Sequence, residues 1–194
     1  MNDEYELLNW KENFKYPNLV KVYTIGDGSC FFHAIMNSFY KPYITCMNND
    51  IPVNRKEFIR KLRTDLSKNL KNHYNNLSRG KLPEISKDLL SLTLENMEKT
   101  LDSNDFIDNR FNEYISNMIN KDIYILDGKK QDVYITGKDD DILYKNRDSI
   151  VLLYNEDRHH FELVGVIEEN YITTLFKYDD PLIYGIRRRV LTAQ

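Results

Sequence analysis

The chain has 194 residues and a formal net charge of -3, from 30 acidic and 27 basic side chains that are mixed along the sequence. This mixture provides no broad basic surface for a polyanion, so we expect no nucleic-acid partner. Apolar residues make up 41% of the chain, with only 7 Gly and 5 Pro, which excludes a disordered or fibrous protein and favours one domain over residues 1–194.

The N-terminal part of the chain predicts a helix, a strand and a second helix. Residues 3–14 carry four large apolar side chains at roughly helical spacing before a proline, which predicts a short amphipathic helix. Residues 19–25 alternate apolar and polar side chains, as a strand does, and residues 26–29 (GDGS) then break regular structure. Apolar residues recur every three or four positions over residues 30–40, so a helix is predicted to begin at Cys30.

Helices dominate the middle of the chain and strands its last third. Helical spacing predicts helices over residues 54–70, capped by Asn54, and over residues 86–101 and 104–120. Short runs rich in β-branched and aromatic residues predict strands at 122–126, 132–135, 149–154, 160–167 and 171–176. This segregation favours an α+β (layered α/β) class, with a central, mostly antiparallel sheet of about five strands flanked by helices. The basic residues 187–189 are interpreted as a solvated tail.

Cys30 is the candidate nucleophile. At a helix N-terminus, unpaired N–H groups favour negative charge, so we expect a lowered pKa for its thiol. The preceding loop, with Gly26, Asp27 and Gly28, can turn tightly and direct backbone N–H groups at one point, as an oxyanion hole requires. The residues alone leave open the alternative that Cys30 is a small buried residue at the start of a core helix.

The candidate base is chosen among four histidines. His160 precedes Glu162 by two positions in a predicted strand, so both side chains share a face and the carboxylate could orient the imidazole. His159 should point to the opposite face, and His73 follows a charged helix. His33 lies three residues after Cys30, but no further cluster has metal-ligand spacing, so no metal is expected. Spacing alone also allows an ordinary histidine and glutamate on a half-buried strand.

Two segments resemble a known family. Residues 27–34 (DGSCFFHA) resemble the signature Asp-Gly-x-Cys-Leu/Phe-Phe-x-Ala of the ovarian tumour (OTU) cysteine proteases, with eight consecutive matching positions. Residues 160–162 (HFE) resemble the family's second signature, a histidine followed by an aromatic and a polar residue. Residues 111–126 look like the family's helix leading into a central strand. The resemblance places the motif-bearing core at about residues 20–176.

The resemblance implies a papain-like OTU fold and a deubiquitinase. Such an enzyme hydrolyses isopeptide or peptide bonds after the C-terminal glycine of ubiquitin or a ubiquitin-like modifier, through a thioester, with no cofactor or metal. Cys30 would be the nucleophile and His160 the base. Family members usually carry Asp or Asn where Glu162 stands, and some use an acidic residue before the cysteine, so Glu162 and Asp27 both remain candidates for the third catalytic residue.

Partners, compartment and alternatives follow from the same observations. We expect ubiquitin or polyubiquitin chains, or ubiquitin-like modifiers, as partners, no membrane association, and a monomer. The two cysteines, Cys30 and Cys46, are too few for a disulfide framework, and no secretory signal is recognisable, which favours the cytoplasm, or the host cytoplasm for a viral or bacterial protein. The alternatives are a catalytically weak ubiquitin-binding module of the same fold and a thiol hydrolase with a non-ubiquitin substrate.

Overall fold

The structure is a computed structural model that describes residues 4–134 and 140–193. Its strands are β1 (Tyr5–Leu7), β2 (Leu19–Val22), β3 (Met47–Asn48), β4 (Ile51–Pro52), β5 (Asp122–Asp127), β6 (Asp132–Val133), β7 (Ser149–Asn155), β8 (His160–Glu168) and β9 (Tyr171–Thr173). Seven of them form one sheet in the order β1-β2-β8-β7-β5-β6, with β9 paired to β8. Only β5 and β7 pair in parallel within the described sheet. The α+β class with a mostly antiparallel sheet is confirmed, with seven strands instead of about five.

Helices lie on both faces of this sheet. The α-helices are α1 (Cys30–Phe39), α2 (Lys41–Thr45), α3 (Arg55–Leu70), α4 (Leu82–Ile85), α5 (Leu94–Leu101), α6 (Asn112–Ile119), α7 (Asp140–Leu143) and α8 (Pro181–Ala193). Short 3-10 helices occur at Tyr74–Gly80, Leu90–Leu92, Asn109–Phe111 and Glu156–Arg158. None of the helices in the described ranges is both long enough and apolar enough to cross a membrane.

Two apolar layers position the helix that carries the candidate nucleophile. On one face of the sheet, Phe31 and Ile35 of α1 are fully buried in the same cluster as Leu152 and Leu163 of the central strands. On the other face, α8 buries an apolar stripe against β5, β7 and β8. Because helix α1 is buried on the first layer, its N-terminus is held beside the beginning of β8.

The cap and boundaries of α3 agree with the sequence. The side chain of Asn54 accepts a hydrogen bond from the backbone N–H of Glu57 at 3.1 Å, as an N-cap does. The other two helices of the middle region are shorter than predicted. Helix α5 begins only at Leu94, where Thr93 caps it, and α6 begins at Asn112 after a 3-10 turn. Residues 104–108 form no α-helix. The helical periodicity of residues 86–93 and 104–111 therefore reflects packing of irregular turns.

The predicted helix over residues 3–14 is wrong in its described part. Residues Tyr5–Leu7 form β1, which pairs antiparallel with β2 and places Glu6 opposite Lys21. Pairing satisfies the backbone N–H and C=O groups along one side of β2, a gain that outweighs the weak helical spacing. Residue 3, at the start of the predicted helix, lies outside the described residues.

The interpretation of residues 187–189 as a solvated tail is also wrong. These residues belong to α8, where the guanidinium of Arg189 donates two hydrogen bonds of 2.8 Å to the carboxylate of Asp132. Arg187 donates to the hydroxyl of Tyr124 at 2.7 Å, and only Arg188 is exposed. The predicted strand at 132–135 is described as Asp132–Val133, and residue 135 lies outside the described residues.

Candidate active site

Cys30 is the first residue of α1, and the strand that carries His160 touches its thiol directly. The backbone N–H of Phe161 donates to Sγ of Cys30 at 3.4 Å, joining segments 131 residues apart in the sequence. The two motif segments therefore meet at one point of the fold. No hydrogen bond joins the thiol to the imidazole of His160 in the described part of the chain.

The loop before Cys30 is tightly packed. A Cβ atom on Gly28 would lie 1.7 Å from the carbonyl oxygen of Asn104, so no residue with a side chain fits there without movement of the backbone. The carboxylate of Asp27 accepts a hydrogen bond from the N–H of Ser29 at 2.8 Å, and the carbonyl of Asp27 accepts one from Cys30 at 3.1 Å. The loop is thus restrained by its own hydrogen bonds and by the segment around Asn104.

Two backbone amides of this loop are available for an oxyanion. The N–H of Cys30 is directed to the carbonyl of Asp27. The amides of Asp27 and Gly28, in contrast, have no hydrogen-bond partner within residues 4–134 and 140–193. These two adjacent N–H groups are the donors that could point at a developing negative charge without breaking an existing bond.

Arg63 is a buried residue that stabilises this loop. Its guanidinium donates to the hydroxyl of Ser29 at 2.8 Å and to the backbone carbonyls of Thr100, Leu101 and Asp105 at 2.7, 2.9 and 2.9 Å. Burial lowers the pKa of Arg63 to about 10, against the opposing effect of nearby carboxylates. Helix α3 therefore connects the loop before Cys30 to residues 100–105 through one side chain.

The role of Arg63 is not among the features predicted from the sequence, although the sequence carries a signal for it. Arg63 stands four residues after Ile59 and three before Leu66, both buried on the apolar stripe of α3. A cation at that position of the stripe is unusual, because charged side chains are rarely fully buried without polar partners. The pattern indicated a buried arginine, but not the carbonyls that it binds.

His160 and Glu162 lie together at the start of β8, as predicted. The Nε2 atom of His160 is 3.7 Å from Oε1 of Glu162, and about one seventh of each side chain is exposed, 15% and 16%. With Nε2 facing the carboxylate, Nδ1 is the ring nitrogen left to accept a proton. The other oxygen of Glu162 lies 3.5 Å from Nζ of Lys21.

Asp27, the second candidate for the third catalytic residue, faces the other way. Besides its bond to Ser29, its Oδ2 lies 3.4 Å from Nε2 of His33, without the alignment of a hydrogen bond. The Nδ1 of His33 contacts the hydroxyl of Tyr43 at 2.6 Å. Contacts therefore pair Glu162, and not Asp27, with His160.

The remaining candidate residues lie apart from this cluster. His159 adopts a left-handed backbone conformation and packs its ring on Phe106, and His73 is exposed beside Tyr114. Cys46 is partly buried, and its Sγ lies 3.8 Å from the carbonyl of Tyr43. Within the described ranges, no group of three or more His, Cys, Asp or Glu side chains is arranged to hold a metal ion.

The predicted lowering of the Cys30 pKa is wrong for this arrangement. Burial raises the pKa of the Cys30 thiol, and the hydrogen bonds from the Phe161 and Phe31 amides offset this only in part. Burial also lowers the pKa of His160, although Glu162 acts against that shift. Both shifts favour a neutral thiol and a neutral imidazole over the thiolate–imidazolium pair.

Cys30 is also inaccessible, with 0% of its surface exposed. A substrate carbonyl therefore has no contact with Sγ until residues around the thiol move. The structure shows the site closed, with Cys30 in contact with the segment that carries His160 and next to the loop.

Comparisons with known proteins concern the fold. No protein-family model and no curated protein sequence matches the chain. Among solved structures, an OTU domain in complex with ubiquitin matches with a TM-score of 0.55 and 19% identity, over 90% of this chain and 84% of that one. The OTU of Hazara virus bound to ubiquitin has a TM-score of 0.46 at 12% identity, over 87% and 98% of the two chains. An OTU deubiquitinase from Wolbachia pipientis has a TM-score of 0.45 at 15% identity, over 78% and 91%.

Proposed function

Because this chain has the fold of OTU domains, we propose that it is a cysteine-type deubiquitinase that cleaves bonds after the C-terminal glycine of ubiquitin or a ubiquitin-like modifier. One observation carries the proposal. The Phe161 N–H, in the segment that begins with His160, donates to Sγ of Cys30 at 3.4 Å. Two motifs that are distant in sequence thus meet at the thiol, and a cysteine–histidine hydrolase requires its nucleophile and base to lie in one site.

The proposed reaction begins with proton transfer from Sγ of Cys30 to Nδ1 of His160. The thiolate attacks the carbonyl carbon of the scissile bond, and the carbonyl oxygen becomes an oxyanion. When the tetrahedral intermediate collapses, the C–N bond breaks, the leaving amine takes the proton from His160, and a thioester remains on Cys30. Water then attacks the thioester with His160 as base, which releases the carboxylate and restores the thiol.

The surrounding residues support these roles by their contacts. Glu162 lies at 3.7 Å from Nε2 of His160, where it would favour the tautomer with a proton on Nε2 and stabilise the imidazolium. The amides of Asp27 and Gly28, which have no hydrogen-bond partner among the described residues, would donate to the oxyanion. Preorganised donors of this kind contribute about 2.7–4 kcal/mol each to the transition state in other hydrolases. Packing of Gly28 on Asn104 keeps the two amides in place.

A catalytically weak ubiquitin-binding module is the second candidate function. It is favoured by one observation, the closed state of the site: Cys30 is fully buried and burial raises the pKa of its thiol. Under the main proposal, binding of ubiquitin opens the site and brings His160 into hydrogen-bonding contact with the thiol. Under the alternative, ubiquitin binds and the thiol stays closed.

Ubiquitin carrying a C-terminal electrophile separates the two functions. The Cys46→Ala variant should form a covalent adduct on Cys30, and the matched Cys30→Ala variant should form none while still binding ubiquitin. Binding without any adduct on Cys30 would establish the module instead. Electrophiles made from other modifiers, and a panel of ubiquitin dimers of every linkage, then determine substrate choice. Adducts with another modifier and none with ubiquitin would overturn the ubiquitin assignment.

A further inference from the structure

Lys21 on β2 contacts Glu162, although it lies outside both motif segments. We propose that Lys21 is a positioning residue, which holds Glu162 against His160 and sets the pH range in which the Cys30–His160 pair reacts. This inference rests on the proposed function for its catalytic consequence. The electrostatic effect on His160 is a property of the folded chain alone.

The carboxylate of Glu162 lies between two partners. Its Oε1 is 3.7 Å from Nε2 of His160, and its Oε2 is 3.5 Å from Nζ of Lys21. On the other side, Lys21 lies 3.3 Å from a carboxylate oxygen of Glu6. Exposure of the side chains falls along this row, from 70% for Glu6 to 29% for Lys21 and 16% for Glu162. Solvent and salt therefore screen the Lys21–Glu162 pair less than the Glu6–Lys21 pair.

Strand register explains why these side chains meet. Lys21 pairs directly with Val164 of β8 and with Glu6 of β1. Residues two apart on a strand share a face, so His160, Glu162 and Val164 lie on the side of the sheet that Lys21 also faces. Glu162 is then a diagonal neighbour of Lys21, at a separation that long side chains can span.

The length of Glu162 makes an anchor useful. A glutamate side chain has one more rotatable bond than an aspartate. That extra freedom would let the carboxylate leave the imidazole. An ammonium group on the far oxygen restricts the carboxylate to conformations in which the near oxygen faces His160. Lys21 thus compensates for the longer side chain.

Lys21 also acts on His160 through its charge. The charged groups around the imidazole are Glu162 on β8, Arg158 in the preceding turn, Lys21 on β2 and Asp27 in the loop before α1. Lys21 and Arg158 disfavour the imidazolium, whereas Glu162 and Asp27 favour it. Loss of the Lys21 charge alone would raise the pKa of His160, but Glu162 has the larger influence of the two, so release of its carboxylate from the imidazole lowers that pKa. A positioning role for Lys21 therefore predicts a net fall in the pKa of His160 when Lys21 is replaced.

The first test is Lys21→Met, which keeps an unbranched stem and removes the charge. For a fluorogenic ubiquitin substrate we expect kcat to fall about 2- to 5-fold near neutral pH, with KM little changed. The acidic limb of kcat/KM, which reports deprotonation of His160, should move to lower pH, by about half a pH unit. Lys21→Arg should restore both values. Glu6→Gln is the matched control, because Glu6 touches Lys21 from the solvent side, and should keep the parental profile.

The second test needs no substrate. An NMR titration of the His160 ring, assigned with a His160→Gln variant, should show a lower midpoint in Lys21→Met and the parental midpoint in Glu6→Gln. If the midpoint falls but no conjugate is cleaved by the parent, the positioning role stands and the proposed function fails. If the midpoint rises or stays parental in a folded Lys21→Met, Lys21 acts at most through its charge and has no positioning role. If Lys21→Met has a lower melting temperature than the parent, Lys21→Gln is tested in its place.

Discussion

The guanidinium of Arg63 donates a hydrogen bond of 2.8 Å to the hydroxyl of Ser29, the residue that precedes Cys30. The hydroxyl of Ser29 in turn donates to the side chain of Asn104 at 3.0 Å. Arg63 on α3 and Ser29 thus connect the loop before Cys30 to the segment around Asn104, which packs on Gly28. The shape of the candidate oxyanion site depends on contacts made from outside the motif.

Arg63→Met should therefore lower both stability and activity. Four backbone carbonyls, that of Gly28 among them, and one hydroxyl lose their donor. We expect the free energy of unfolding to fall by about 3 kcal/mol in urea denaturation. Arg60→Met is the matched control, since Arg60 lies one turn earlier on α3 and is exposed. Ser29→Ala tests the local contact, with kcat falling more than KM rises. Parental stability of Arg63→Met would contradict the role of this residue.

Gly28→Ala and Gly26→Ala form a second matched pair. A Cβ on Gly28 would lie 1.7 Å from a backbone oxygen, whereas a Cβ on Gly26 would meet its nearest atom at 3.8 Å. The first change forces the backbone to move, and we expect a loss of unfolding free energy of about 1–3 kcal/mol, while the second should cost less than about 1 kcal/mol. Equal losses of unfolding free energy in the two variants, measured by urea denaturation, would show that the backbone at Asn104 moves away from residue 28 at little cost.

Glu162→Gln and Asp27→Asn together test the identity of the third catalytic residue. Glutamine keeps the length of the side chain but removes the charge that faces Nε2 of His160, so kcat should fall by more than about tenfold with KM little changed. Asparagine keeps the oxygen that accepts from Ser29, so Asp27→Asn should be milder. Assays of both on one substrate, with thermal melting as the control for folding, decide the matter. The reverse order of losses would assign the role to Asp27.

Stability should fall as the pH drops below about 6.5, the pKa of an unperturbed histidine. Burial lowers the pKa of both His33 and His160 in the folded chain. Between the folded and unfolded pKa values the unfolded chain binds more protons, so the free energy of unfolding decreases with decreasing pH. Urea denaturation between pH 8 and pH 5, an interval of about three units around that pKa, measures this slope. His33→Gln should show a shallower slope, and an unchanged slope would mean that His33 does not contribute.

Local patterns determined much of the candidate site. Helical spacing located the start of α1 at Cys30 and the cap of α3 at Asn54, and alternation placed His160 and Glu162 on one strand face. These features depend on residues within a few positions of one another, because side-chain direction follows from the period of the helix or strand. Motif identity added that the two segments belong to one site.

Only the tertiary structure decided the remaining features, because each depends on residues distant in the sequence. Residues 5–7 form a strand since β2 offers an edge to pair with, whatever their own spacing favours. The pKa of Cys30 is raised because the packed sheet removes water from the thiol, an effect that opposes the helix N-terminus. Arg63 on α3 and Lys21 on β2 contact Ser29 and Glu162, which are distant from them in the sequence. The helical and strand periods relate only neighbouring positions, so they do not predict these contacts. The sequence thus identified the candidate residues of the site, and packing determined their charge state, their access and their support.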